Sequence, residues 1–394
     1  MASVTVCQCV ILLEDAGSQG LPLSLMPCAG KPFLAWQMRE MQRFGVEEFI
    51  FLTEQDPPDV TAAIEALQSF LPKPAGIFLS ATPRGHGTGG ALLQIRPYLP
   101  KRFLLCHGNA LFSCNLARFL GTASGGHWRL LQDVKKLEQQ QDRGKFIPAQ
   151  AATEACGTGE ATSTGIYLFD VSIFDNLTET CSLEQDVLRA LVQGDVLRSI
   201  ALPGYFCRAM DPESLGVAEK EFPQVLRRPA VFLDRDGVIN RDFGWVGTRE
   251  RFEWEAGARE AIARITESGY HVFIVTNQSG VARGFYSEDD LLQLMDWVID
   301  VIRDDGGTVD DWRYCPMHPD AKIEQYRGSS INRKPAPGMI VDLLQRWELD
   351  PARCVLFGDQ PSDMQAARAA GVRGVPIGPD SLADLVSEMD IFSI

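Results

Sequence analysis

Short apolar runs that break off into polar clusters alternate, in the second half of the chain, with longer stretches whose apolar positions recur every three or four residues. Ala230-Val231-Phe232-Leu233, His271-Val272-Phe273-Ile274-Val275 and Arg353-Cys354-Val355-Leu356-Phe357 read as buried strands. The periodic stretches predict helices over 257–268, about 287–304, 337–347 and 361–370. Strands alternating with helices imply a parallel, doubly wound α/β sheet. Ligands of such sheets bind at the carboxyl edge. The clusters released by the strands are therefore expected to converge there: Asp234-Arg235-Asp236-Gly237, Thr276-Asn277-Gln278-Ser279-Gly280 and Gly358-Asp359-Gln360-Pro361-Ser362-Asp363, with Asn332-Arg333-Lys334-Pro335 between the last two.

The first half shows the same alternation. Val4 to Leu13 reads as a strand, Phe33 to Phe44 as a helix, Glu48 to Thr53 as a strand, Val60 to Phe70 as a helix and Phe103 to Cys106 as a strand. A chain of 394 residues has room for two or three domains. A charged helical stretch ends near Phe222 to Arg228, just before the strand at Ala230, so two doubly wound α/β domains are expected, 1–226 and 227–394.

Asp234 and Asp236 put two carboxylates one residue apart at the end of a buried strand. Unpaired buried charge is costly and is normally offset by a metal or a counter-charge, so a divalent cation is implied. The plainer alternative is a strand entering an Asp/Gly turn. The downstream clusters favour the first reading.

The order of acidic, hydroxyl, lysine and acidic-pair motifs resembles the haloacid dehalogenase superfamily. More narrowly, Phe232 to Asn240, Thr276 to Gly284, Arg333 to Met339 and Gly358 to Ala367 look like the bacterial heptose bisphosphate phosphatases, with the histidinol phosphatases as relatives; the resemblance spans roughly residues 228 to 380. It implies a Mg²⁺-dependent phosphatase, with D-glycero-D-manno-heptose 1,7-bisphosphate as leading substrate and histidinol phosphate or another small phosphate as the rival. Asp234 would attack phosphorus and carry the phosphoryl group. Asp236 would serve as acid and then base. Thr276 would hold phosphoryl oxygens, and Lys334 would offset charge. Asp234, the Asp236 carbonyl and Asp359 would bind Mg²⁺, with Asp363 orienting Lys334 or the metal's waters. Asp359 and Asp363 also read as N-capping residues of the helix near Pro361. Arg333, Asn277 and Arg283 are candidate substrate contacts; Arg283 reads equally well as a solvated surface arginine.

The pattern departs from this family at a zinc loop. The family's Cys-x-His and Cys-x-Cys appear here as Cys315-Pro316-Met317-His318 and Ser330-Ile331-Asn332. One ligand of four remains, with His318 able to rescue one more, so no zinc is expected. Tyr314, Met317 and Tyr326 are expected to hold the loop by packing.

Residues 4 to 220 resemble the sugar-phosphate nucleotidyltransferases, through Leu21-Pro22 to Leu34, Gly87 to Leu92, Gly165 to Phe169 and Ser182 to Leu188. The glycine-rich loop is shortened to Asp15–Gly20 without a basic residue. Leu23 stands for a phosphate-binding lysine, and Asn109 and Arg208 for the two metal aspartates. Catalysis there should be lost, since Mg²⁺ needs hard anionic ligands and phosphoryl-group transfer needs charge neutralisation. Two readings follow: a domain that still binds a nucleotide or sugar phosphate through Gly87 to Gly90, making the protein a nucleotide-sugar sensor with a phosphatase output, or a scaffold that stabilises or homodimerises the phosphatase. A working transferase, and so a bifunctional enzyme, is the remaining alternative. Lys31 is the surviving cation of that pocket.

A net charge of −15 argues against a nucleic-acid partner. Ten cysteines show no paired framework, no stretch is long enough to span a membrane, and no secretory leader is visible, which together imply a cytoplasmic protein with reduced thiols. Cys7-Gln8-Cys9 reads as strand rather than metal site.

Overall fold

The chain divides into two compact units, Met1–Leu226 and Arg227–Ile394. Both are seen in a computed structural model that describes residues 6–13, 21–54, 58–133, 161–378 and 381–388. Among the described residues, no helix is long and apolar enough to cross a membrane.

The described residues of the first unit form nine principal strands: β1 Gln8–Leu12, β2 Glu48–Thr53, β3 Gly76–Ala81, β4 Arg102–His107, β5 Ala110–Ser113, β6 His127–Asp133, β7 Ala161–Asp170, β8 Leu197–Leu202 and β9 Tyr205–Arg208. Seven of them form one sheet in the order β8-β6-β7-β4-β1-β2-β3, and β5 pairs with β9 apart from it. The central strand β1 is buried on both faces. Cys9 and Ile11 enter one core, Val10 and Leu12 the other, which is why its sequence is a continuous apolar run. The sheet is not wholly parallel, because β7 runs antiparallel to both β4 and β6. The helix expected over 60–70 is α-helical over Pro58–Ala66 and tightens to a 3₁₀ turn over Leu67–Phe70.

In the second unit, β10 Ala230–Leu233, β11 His271–Asn277, β12 Asp311–Cys315, β13 Cys354–Gly358 and β14 Arg373–Pro376 form a parallel sheet in the order β12-β11-β10-β13-β14. The placing of β10 at its centre explains why all four of its residues are buried. Ala230 and Phe232 pack with Phe273 and Val275 on one face; Val231 and Leu233 pack with Val272 and Ile274 on the other. Helices Ala258–Glu267, Glu288–Asp304, Gly338–Trp347 and Pro361–Ala369 complete the layers. Ser287 and Asp290 close a capping box at the start of the second of these, worth about 1 kcal/mol to such a helix end.

Candidate active site

The carboxyl ends of β10, β11 and β13 meet around one ammonium group. Asp234, the first residue after β10, donates its amide to the Phe357 carbonyl at 2.9 Å, so it leaves the strand in fixed register. Lys334 Nζ lies 2.9 Å from Asp234 Oδ2 and 2.7 Å from Asp363 Oδ1, and it donates to the Val275 carbonyl at 2.9 Å. The ammonium thus lies against two carboxylates and one carbonyl. Its backbone is also clamped, since the Asn277 amide donates to the Lys334 carbonyl at 3.0 Å and accepts from the Lys334 amide at 3.0 Å. Asn277 therefore reaches the site by holding Lys334, which occupies both ends of the carboxamide expected to contact substrate.

Charge in this cluster is unbalanced. Burial pushes the Asp234 carboxyl up to about 7; Lys334 opposes the rise, and Asp363 and Asp236 add to it. Burial pulls Lys334 down, but Asp234 and Asp363 outweigh it, so its net shift is upward. Burial also raises Asp359. Oxygens of Asp234, Asp359 and Asp363 lie within 4.8 Å of one another. Three carboxylates against one ammonium leave a surplus of two negative charges, which one divalent cation matches. Asp359 Oδ1 is buried and meets no hydrogen-bond donor among the described residues. Gly237, at φ +79°, keeps the space beside it open, since a Cβ there would stand 2.5 Å from Asp359 Oδ2. An all-oxygen set of this kind fits Mg²⁺. Asp363, at the third helical position, accepts the Gln360 amide on Oδ2 at 3.0 Å, while its Oδ1 lies 2.7 Å from Lys334 Nζ. Asp359 does not cap that helix; Gln360 is its N-cap.

Asp236 is held by residues outside the predicted site set. Arg235 Nη2 lies 2.8 Å from its Oδ1 and 2.9 Å from its Oδ2, Asn240 donates to Oδ1 at 2.9 Å, and Gln278 donates to Oδ2 at 2.9 Å. Gln278 also donates to the Thr276 hydroxyl at 2.8 Å and accepts from the Tyr286 hydroxyl at 2.6 Å. The Tyr286 ring fits only because Gly247 and Gly280 lack side chains, each Cβ position falling within 2.5 Å of the ring. The one legible signal was Gln278 itself, within the cluster after β11.

Arg283 and Arg333 lie at the rim of the same edge. Arg333 donates to the Met317 carbonyl at 3.1 Å, and burial, with Arg283 adding, pulls its guanidinium down. Arg283 Nη2 is 3.3 Å from His318 Nε2, while His318 Nδ1 accepts the Asp320 amide at 3.0 Å. A neutral imidazole that accepts at Nδ1 carries its proton on Nε2. Two donors therefore face each other, an arrangement that an anion would reconcile. The Arg283 Nε is buried and meets no acceptor among the described residues. Cys315 is buried among apolar side chains, with Met317 against them. Tyr314 and Tyr326 converge on Glu288, donating to its two oxygens at 2.8 and 2.6 Å. Glu288, unforeseen from sequence, is thus the anchor of the loop.

In the first unit, Asn109 and Arg208 come together at the ends of paired strands, where the Ala209 amide donates to the Asn109 carbonyl at 2.9 Å. Asn109 Nδ2 lies 3.5 Å from Met210 Sδ. Leu23 opens a short 3₁₀ turn, and Lys31 sits over the Trp36 ring at 5.4 Å. Gly87, Gly89 and Gly90 pack against the 179–182 segment so closely that added Cβ atoms would fall 2.3–2.5 Å from Glu179 or Cys181 atoms. They serve close packing. The Asp15–Gly20 loop lies outside the described residues.

The family model for haloacid dehalogenase-like hydrolases matches residues 255–371. The D-glycero-beta-D-manno-heptose-1,7-bisphosphate 7-phosphatase of Rhodopseudomonas palustris is 51% identical over 148 residues, covering 38% of this chain and 82% of that protein. The alpha-specific counterpart of Burkholderia mallei is 44% identical over 147 residues, 37% of this chain and 78% of its own. Among solved structures, HddC from Yersinia pseudotuberculosis aligns with a TM-score of 0.43 at 18% identity, covering 55% of this chain and 99% of its own. Motifs, site geometry and relatives agree: through its C-terminal unit the chain belongs to the haloacid dehalogenase-like hydrolases, as a phosphatase related to the heptose-bisphosphate 7-phosphatases.

Proposed function

We propose that the C-terminal unit is a Mg²⁺-dependent phosphomonoesterase that acts on a sugar phosphate, foremost D-glycero-D-manno-heptose 1,7-bisphosphate, through a phosphoryl group carried on Asp234. The observation that carries this reading is Lys334 bridging Asp234 and Asp363 beside Asp359. Asp234 is the buried carboxylate whose attack on phosphorus splits one slow hydrolysis into two easier steps. As the phosphorus–oxygen ester bond breaks, Asp236 gives its proton to the leaving oxygen, then takes one from the water that releases phosphate. Arg235, Asn240 and Gln278 fix the Asp236 carboxyl for both transfers. Lys334 neutralises the nucleophile's surroundings, and Thr276 offers its hydroxyl to the phosphoryl oxygens. Mg²⁺, for which Asp234, Asp359 and the Asp236 carbonyl are the candidate ligands, supplies charge neutralisation when bound.

Support for a bisphosphate substrate comes from the rim. Arg283 lies beside His318, Arg333 donates to the Met317 carbonyl, and Arg283 Nε meets no acceptor among the described residues; guanidinium forks suit a second phosphate. The relatives' activities point the same way.

The test is phosphate release from a panel holding heptose 1,7-bisphosphate, hexose phosphates and histidinol phosphate, with and without chelator. The bisphosphate should give the highest kcat/KM, and chelation should remove all turnover until Mg²⁺ is restored. Metal binding should also expel a proton, because Asp234 is partly protonated near pH 7 in the ion-free protein and ionised in the complex. Calorimetry in two buffers of different ionisation enthalpy would show this, with Mg²⁺ affinity rising as pH increases through about 7. A preference for histidinol phosphate, or turnover unaffected by chelator, would overturn the assignment.

A further inference from the structure

Two aromatic residues at the rim of the second unit's active-site edge stay half exposed although they stack on each other. Trp245 and Phe285 are 46% and 52% exposed, with ring centroids 4.5 Å apart and planes 29° from parallel. The Arg283 guanidinium stands 5.9 Å from the Trp245 ring, and Lys322 Nζ stands 5.7 Å from the Phe285 ring. We propose that Trp245, backed by Phe285, is a positioning residue that aims Arg283 at the second phosphate of the substrate. This role rests on the bisphosphate reading given above and adds the residue that prepares the arginine for it.

Arg283 needs such support. Its Nε meets no acceptor among the described residues, and its Nη2 faces His318 Nε2, the protonated nitrogen of that ring, at 3.3 Å. Neither group ties the fork down, so the flat face of Trp245 supplies the orientation. An aromatic face attracts a guanidinium and leaves its in-plane N–H groups free to donate. Those free donors are what a phosphate takes two at a time.

Trp245 is itself held in an uncommon backbone conformation. Its φ of +53° lies in the left-handed region, which a bulky residue rarely adopts, and Gly244 before it has φ +68°. Such conformations persist only where the surroundings fix them, and they gather at functional sites. Here the Gly244 amide donates to Asp242 at 2.8 Å, and Arg251 donates to the Phe243 and Gly244 carbonyls at 3.2 and 3.1 Å. On the other side, Arg235 Nη2 donates both to the Val246 carbonyl and to Asp236. One guanidinium therefore ties the Trp245 loop to the acid–base carboxylate. Phe285 is fixed from a second loop, where its amide donates to the Gly280 carbonyl at 2.9 Å. The ring pair thus joins a loop anchored at the reacting centre to the loop that carries Arg283.

The experiment measures kcat and KM of the Mg²⁺-loaded full chain for heptose 1,7-bisphosphate and for heptose 7-phosphate, which carries the reacting ester and lacks the second phosphate. Trp245→Ala should raise KM for the bisphosphate about five- to tenfold, the scale of a partly desolvated cation–π contact, with kcat nearly unchanged. The preference for bisphosphate over monophosphate, taken as the ratio of kcat/KM values, should fall by the same factor. Arg283→Ala should lose more of that preference, and adding Trp245→Ala to it should cost nothing further, because the two side chains act through one contact. Trp245→Phe should keep most of the preference, since a smaller ring still offers a face. Phe243→Ala, which removes another exposed ring of the same loop, should change none of these values, and thermal melts check that every variant is folded. Losses from Trp245→Ala and Arg283→Ala that multiply in the double variant would overturn the positioning role, as would equal losses on both substrates. Arg283→Ala without effect on the preference would overturn it together with the bisphosphate reading. A full loss from Arg283→Ala beside an unaffected Trp245→Ala would overturn it alone.

Discussion

Asp234→Asn is expected to reduce phosphate release by about ten-thousand-fold or more, the scale seen when a covalent nucleophile is removed. The amide has nearly the same shape but no carboxylate to attack phosphorus. The fold should survive, and the stability profile shows why. Asp234 has a folded-state pKa of about 7, raised above the roughly 3.9 of an unfolded aspartate. Its contribution to stability is therefore fully present below the unfolded value and is lost as pH rises through about 7. In EDTA, the parent protein should lose stability from this group across that window, whereas Asp234→Asn should not. Thermal melts of both proteins between acid and neutral pH check this, alongside the phosphate assay. A variant that melts like the parent and retains near-native turnover would show that Asp234 is not the nucleophile.

Lys334→Ala should damage both activity and stability. It leaves Asp234 and Asp363 buried without their shared counter-charge, and breaking a buried ion pair from one side costs about 3–5 kcal/mol. Turnover should fall by about a hundredfold or more, as when one preorganised electrostatic donor is removed. Two features separate this account from a simple packing defect. The destabilisation should shrink as pH falls and the carboxylates protonate, and Mg²⁺ should restore part of the lost melting temperature. Lys334→Arg should not rescue activity, because a planar guanidinium cannot replace a compact ammonium that reaches two carboxylates and the Val275 carbonyl. Equal destabilisation at all pH values, unaffected by Mg²⁺, would count against the charge argument.

The parts of the site legible in the sequence are those that follow directly from strand ends. A strand buried on both faces announces itself as an apolar run, so the positions of Asp234 and Asp359 just after β10 and β13, and of Thr276 at the end of β11, could be read in advance. The edge strands were harder. β3 has a run of only three apolar residues, Ile77-Phe78-Leu79, and none of its residues is fully buried; β8 has no continuous apolar run, β12 is short and mixed in polarity, and β14 is short and largely exposed. Hydrogen-bond partners were least legible. Arg235 and Asn240 hold Asp236 from within its own loop, while Gln278, itself held by Tyr286, reaches it from another, and no spacing rule brings 236, 278 and 286 together. Asn277 illustrates the same limit, since its place beside the motif was visible while its double bond to the Lys334 backbone was not. The first unit offers an extreme case, a cavity lined by Arg129, Glu184, Arg189 and Arg208, because β6, the helical stretch over 183–193 and β9 are separate elements that no sequence spacing relates.

The proposed covalent route puts the phosphoryl group on Asp234. The most direct measurement is rapid acid quench of the Mg²⁺-loaded enzyme during its first turnover of heptose 1,7-bisphosphate, followed by peptide mass mapping. The account predicts a peptide spanning Asp234 heavier by one phosphoryl group, labile to hydroxylamine, formed at least as fast as phosphate appears. First-turnover phosphate release with no modified peptide at any time point, or with the phosphoryl group on another residue, would contradict it.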